Sequence, residues 1–329
     1  MSDNGGWSDP SRQGDQQKPS PGWQAPPPSF PQAPGYGSPR GYGKPGVIPL
    51  RPLSVGEILD GAINTMRRHP GLTFGVSAIV AVIEAALSLG ASIWLLSEMG
   101  PIPPQPGPAA TPQEALDYAS AVLGQTAATL GVTLVITVLI RTFLTGFMTV
   151  VVGKAVLGKP ITFGEALGEL APRLPALLGV TVLYTLMVAV GSVFFLVPGI
   201  WLYALFSLAS PALVLEHGRV GQALNRSRLL VQGSWWRVFG VLLLTGVCAT
   251  VIAFVIQIPF NLSAGVGGAD MAELGSASIG VQLLSSAGQV VAQTLVAPFV
   301  AGATALLYID QRMRKEGMDI QLARAAGAV

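Results

Sequence analysis

From Pro175 to Leu215 the chain runs 41 residues without one charged side chain. As one straight helix this stretch would be ~60 Å long, about twice the ~30 Å hydrocarbon core of a bilayer. As the core of a soluble domain it would need a charged shell, and that shell is missing. Only 11% of the residues are charged and 50% are hydrophobic, with mean hydropathy +0.56, whereas soluble domains carry about 25% charged residues. The composition therefore describes a membrane-embedded unit. Pro198-Gly199 lies near the middle of the run, with Arg173 before it and Arg219 after it. Proline starts a helix but does not continue one, and glycine permits a reversal. A tight hairpin with both ends on one side follows; the rival arrangement is a kinked or re-entrant pair.

The remaining apolar runs give six expected spans, at about 72–97, 126–152, 175–197, 198–215, 238–260 and 279–309. Residues 1–46 are rich in Pro and Gly, with Trp7, Trp23, Phe30, Tyr36 and Tyr42 scattered without period. Such a segment buries too little apolar surface to offset its ordering entropy, so a disordered tail is expected. It has no basic region followed by an apolar one, so it is not a signal peptide. The expected fold is all-α and polytopic. A disordered N-terminal tail (1–46) precedes a six-helix transmembrane domain (47–315), and a C-terminal tail (316–329) follows.

Charge orients this bundle. The segment before the first span ends in Arg67-Arg68-His69, and the loops at 153–174 and 216–237 and the C-terminal tail are basic. The connections at 98–125 and 261–278 contain no Lys or Arg. Eighteen of the nineteen basic residues thus fall on one side. By the positive-inside rule both termini are cytoplasmic, in a bacterial cell membrane. Trp235-Trp236 and Tyr308 are expected at inner ends, and Trp94 and Trp201 at outer ends, as interfacial belts.

Three segments on the basic side resemble one another: Val55-Gly56-Glu57-Ile58-Leu59, Phe163-Gly164-Glu165-Ala166-Leu167 and Val220-Gly221-Gln222-Ala223-Leu224. Each opens a short amphipathic stretch that runs into a span. We read three short cytoplasmic interfacial helices, with Arg67, Arg68, Arg226, Arg228 and Arg237 placed to meet lipid headgroups.

Two ionisable residues lie deep in the spans: Glu84 in the first and Arg141 in the second. Each lies ~20 Å from the basic end of its helix, and the helices are adjacent and antiparallel. A lone charge at that depth costs ~2.5–3.5 kcal/mol on insertion scales, so the two are expected to form an ion pair. The pair locks two helices, or it marks a substrate or proton site. Thr133, Thr137 and Thr145 either line a polar cavity near Arg141 or bond their own backbone carbonyls. Gln282, Gln289 and Gln293 suit interhelical hydrogen bonds, and Ala297, Ala301 and Ala305 form a stripe for close packing.

Catalytic chemistry is not signalled. There is no Gly-x-Ser-x-Gly elbow, His-Glu-x-x-His pair or phosphate loop. One cysteine (Cys248) and two histidines (His69, His217) leave no disulfide and no His-rich metal site. Neither cofactor nor metal is expected, and a net charge of +2 argues against nucleic acid. Four stretches resemble bacterial multi-pass proteins of the glycerophosphoryl diester phosphodiesterase membrane-domain family: 48–70 (IPLRPLSVGEILDGAINTMRRHP), 197–215 (VPGIWLYALFSLASPALVL), 223–240 (ALNRSRLLVQGSWWRVFG) and 306–324 (LLYIDQRMRKEGMDIQLAR). That resemblance implies a six-helix membrane protein. It does not bring the hydrolytic activity, because the catalytic domain's His-Arg and His-Asp motifs are absent. The expected function is non-catalytic organisation of lipid or partner proteins at the inner leaflet. The alternative is a transporter or flippase-like protein for an anionic or lipid substrate. Membrane lipids are the expected partners, with room for a protein partner of the tail and for a homo-oligomer.

Overall fold

The computed structural model describes residues 47–49, 51–100, 102–108, 110–194, 196–263 and 279–317, all in one compact unit spanning 41–329. The expected tail at 1–46, most of the loop at 261–278, and 318–329 lie outside these residues. The described secondary structure is helical throughout: α1 (Val55–Arg68), α2 (Pro70–Met99), α3 (Pro112–Val156), α4 (Phe163–Leu170), α5 (Leu174–Phe194), α6 (Leu196–Phe206), α7 (Ala209–Glu216), α8 (Val220–Val231), α9 (Trp235–Ser263) and α10 (Ile279–Glu316). Six helical segments are long and apolar enough to cross a membrane: Pro70–Met99, Pro112–Val156, Phe163–Ser192, Leu196–Glu216, Trp235–Leu262 and Leu283–Glu316.

Local chemistry sets most of the boundaries. Pro70, Pro112, Pro175, Pro198 and Pro211 all fall in the first turn of a helix, where a missing N–H breaks no hydrogen bond. Pro211 accounts for the break between α6 and α7, where one uninterrupted span was expected. α5 ends at Phe194 and α6 begins at Leu196, slightly before Pro198-Gly199. The second span also begins earlier than expected. Thr111 and Glu114 form a reciprocal capping box that starts α3 at Pro112, so the second half of the expected connection at 98–125 is helix.

The three resembling segments are three short helices with equivalent starts. Ser54 and Glu57 cap α1 reciprocally, and Thr162 and Glu165 cap α4 in the same way. In α8 only the return bond is made, from the Arg219 N–H to Gln222 Oε1, because arginine offers no acceptor. The fourth and eighth helical positions are buried in all three: Ile58 and Ala62, Ala166 and Leu170, Ala223 and Ser227.

These short helices do not lie loosely on a surface. They surround the C-terminal halves of α3 and α10, whose residues from Leu144 to Val156 and from Phe299 to Met313 are largely buried. The result is a protein-packed cap at the basic end. Beyond it the apolar side chains turn outward, from Ile79 to Leu96 on α2, Leu116 to Leu139 on α3 and Leu243 to Leu262 on α9.

The α5–α6 hairpin is shorter above the cap than its neighbours. The Trp235 indole N–H donates to the Trp201 carbonyl, which places Trp201 beside the basic-end tryptophans and corrects its expected outer position. Ser192 and Gly199, near the hairpin tip, share a groove with Val251. From there α9 continues to Ser263, roughly 18 Å further.

Candidate functional site

Where α2, α3, α6, α9 and α10 converge, the helices leave a cavity of about 350 Å³. Glu84 and Arg141 both line it, with Thr145, Tyr203, Thr250 and Gln293. A second cavity of about 280 Å³ shares Glu84, Arg141 and Gln293 and adds Ser88, Thr133, Thr137 and Gln289. Glu84 sits near the midpoint of α2, and Arg141 is one α3 residue further from the basic end than Glu84 is along α2. Equal depth has thus brought the two charges to one place.

It has not brought them into contact. Among the described residues Glu84 and Arg141 form no direct ion pair, and neither hydrogen-bonds another side chain. Arg141 is exposed within the cavity and Glu84 is half-buried. Ser77, only 1% exposed, belongs to the wall of this cavity, and its buried hydroxyl has no hydrogen-bond partner among the described residues.

The threonines of α3 divide between the two expected roles. Thr129, Thr142 and Thr149 donate to backbone carbonyls one turn back. Thr133, Thr137 and Thr145 line the cavities. Gln289 accepts a hydrogen bond of 2.6 Å from Gln257 of α9, so it joins α9 to α10 as well as lining the smaller cavity. The side chain of Gln282 lies outside the described residues. Ala297 and Ala301 of the small-residue stripe form part of the cavity wall, and Ala305 is buried in the cap.

The five headgroup arginines separate as well. Arg67, Arg68 and Arg228 are exposed. Arg226 pairs with Glu216 at 2.9 Å and with Glu316. Arg237 pairs with Asp310 at 3.0 Å and donates to the Leu53 carbonyl at 2.7 Å. Their guanidinium groups are held by the protein, which corrects the expectation that they face headgroups. Burial and the Arg68 guanidinium hold the His69 imidazole below the usual histidine range.

Asp310 and Glu216 are residues that sequence reasoning missed, and Tyr308, expected in an interfacial belt, is instead fully buried. Asp310 is fully buried; it takes the Leu53 N–H at 2.8 Å and the guanidinium groups of Arg237 and Arg314. Arg314 also donates to the Leu53 carbonyl at 2.6 Å. Tyr308 donates to Glu216, which meets Arg226 and Arg312. This network ties the entry segment before α1 to the end of α10. Asp310 was visible as an acid in the YIDQRMRK stretch, four residues before Arg314, but nothing local revealed Arg237 or the Leu53 backbone as its other partners.

Among the described residues no group of three or more His, Cys, Asp or Glu is placed to hold a metal ion. Residues 119–267, from within α3 to beyond α9, match the model of an uncharacterised protein family (UPF0259). Neither the curated proteins nor the solved structures compared with the chain give a match. The matched region contributes Arg141, Thr145, Tyr203 and Thr250 to the cavity wall, whereas Glu84 and Gln293 lie outside it.

Proposed function

We propose that this chain is a non-catalytic, flippase-like carrier that admits an amphiphile's polar head to the cavity around Glu84 and Arg141. The observation that carries this reading is two opposite charges in one intramembrane cavity without a direct ion pair. A helix lock would close such a pair, because each unpaired charge costs ~2.5–3.5 kcal/mol at that depth. Holding the charges apart keeps both available to a guest. In proteoliposomes with fluorescent lipids, the wild-type protein is expected to move lipid between leaflets. Arg141→Gln should slow this about tenfold or more, the equivalent of one charge-assisted hydrogen bond, with little change in melting temperature. Absence of transport by the wild type would refute the carrier reading. A large loss of stability in Arg141→Gln would return the pair to a structural role.

A second reading is supported by the exposure of Arg67, Arg68 and Arg228 on α1 and α8. These side chains suit anionic headgroups at the inner leaflet, and a protein acting only there would organise lipid without moving it. The resemblance to phosphodiesterase-associated membrane domains is compatible with either reading and supplies no activity.

Both readings place the basic end in the cytoplasm of a bacterial cell, which labelling can test. In a Cys248→Ala background, Gln113→Cys should react with an impermeant thiol reagent applied to intact cells. Lys159→Cys should react only after permeabilisation, since both positions are exposed but lie at opposite ends of α3. Labelling of Lys159→Cys in intact cells would reverse the orientation.

A further inference from the structure

We infer that the guest is a zwitterionic amphiphile, with its anionic group on Arg141, its ammonium on Glu84 and an alkyl chain in the groove between the α5–α6 hairpin and α9. The inference rests on the reading of the cavity as an amphiphile site and specifies its substrate class.

The head follows from charge. An anionic head alone would meet Arg141 but sit beside the Glu84 carboxylate, and a cationic head alone would reverse that conflict. A zwitterion compensates both charges and leaves the cavity neutral, which matters where water is scarce. Thr145 stands on the same wall as a further polar side chain.

The chain follows from the neighbouring groove, about 630 Å³ in volume and walled mainly by Val188, Ile200, Leu243 and Val247. This volume falls within the ordinary range of ligand pockets, ~300–1,000 Å³. Along α9 the groove runs from Phe239 to Val251, roughly 18 Å. Tyr203, Gly246 and Thr250 line both the polar cavity and this groove, so head and chain sites are continuous. The short α5–α6 hairpin leaves the lipid side of α9 open above its tip, a route of entry from the bilayer.

The test measures binding to the purified full chain in non-ionic detergent by the rise in melting temperature. The probes are lysophosphatidylethanolamine, lysophosphatidylglycerol of the same chain length, and chain-free phosphoethanolamine. The wild type should bind the zwitterionic lysolipid about tenfold more tightly than the anionic one. Glu84→Gln should reverse this preference, and Arg141→Gln should weaken both lysolipids. Val247→Trp, at a half-exposed position that tolerates bulk, should weaken the zwitterionic lysolipid about tenfold and leave phosphoethanolamine unchanged. Equal or stronger wild-type binding of the anionic lysolipid would overturn the zwitterion assignment while keeping the amphiphile site. An unaffected Val247→Trp would overturn the groove assignment. Binding of neither lysolipid would overturn both the inference and the carrier reading beneath it.

Discussion

Asp310→Ala is expected to cost the folded protein about 3–5 kcal/mol, the penalty for breaking a buried ion pair and leaving its partners uncompensated. The carboxylate is inaccessible to solvent and holds Arg237, Arg314 and the Leu53 N–H together. With alanine there, both arginines retain the Leu53 carbonyl but lose their counter-charge, and a buried amide loses its acceptor. Asp310→Asn should cost less, since it keeps an acceptor for Leu53 while abandoning the charge. The exposed Arg51–Glu57 pair provides the control, because Arg51→Ala should change stability by no more than about 1 kcal/mol. Thermal unfolding in detergent, with limited proteolysis of the 47–54 segment, measures both effects. An Asp310→Ala protein that melts and resists protease like the wild type would mean the clamp carries little of the cap's stability.

The second large effect is expected at the hairpin. Gly199 packs so closely on Ser192 that an added Cβ would lie 2.9 Å from the serine Cβ and 3.0 Å from its Cα, and closer still to its hydroxyl. Real side chains do not approach at these distances, so the α5 and α6 arms would have to part. Gly199→Ala should therefore cost about 1–3 kcal/mol as overpacking, and Gly199→Val more. Because Ser192 supplies the clash, the double variant Gly199→Ala with Ser192→Gly should recover part of the loss in a melting experiment. Equal melting of Gly199→Ala and the wild type would show that the arms are not clamped at this contact. The same replacements narrow the groove that Ser192 and Gly199 line, so a surviving variant should also bind the lysolipid more weakly.

By itself the sequence determined what depends on composition and on spacing along one helix. Continuous apolar runs specify helices that satisfy their own backbone groups, so six segments able to cross a membrane were legible without tertiary contacts. The Ser-x-x-Glu and Thr-x-x-Glu capping signatures of α1, α3 and α4 are closed within four residues and so are written in the sequence, but all three went unread, and the start of α3 with them. Depth is also local, because 1.5 Å per residue placed Glu84 and Arg141 at one level.

Rotation about a helix axis and distance between axes are not local, and these the tertiary structure decided. They determine whether two charges at one level touch, and here the helices hold a cavity where an ion pair was expected. They also determine which carboxylate an arginine finds. Arg226 and Arg237 resemble interfacial cations until Glu216, Glu316 and Asp310 arrive from other helices. Hydropathy, finally, does not distinguish an apolar face against lipid from one against protein. The uncharged run at 175–215 therefore concealed that much of α7 belongs to the packed cap and that the hairpin ends below its neighbours. Only the packing of α8 and Trp235 against that run reveals this, because they contact its basic-end half.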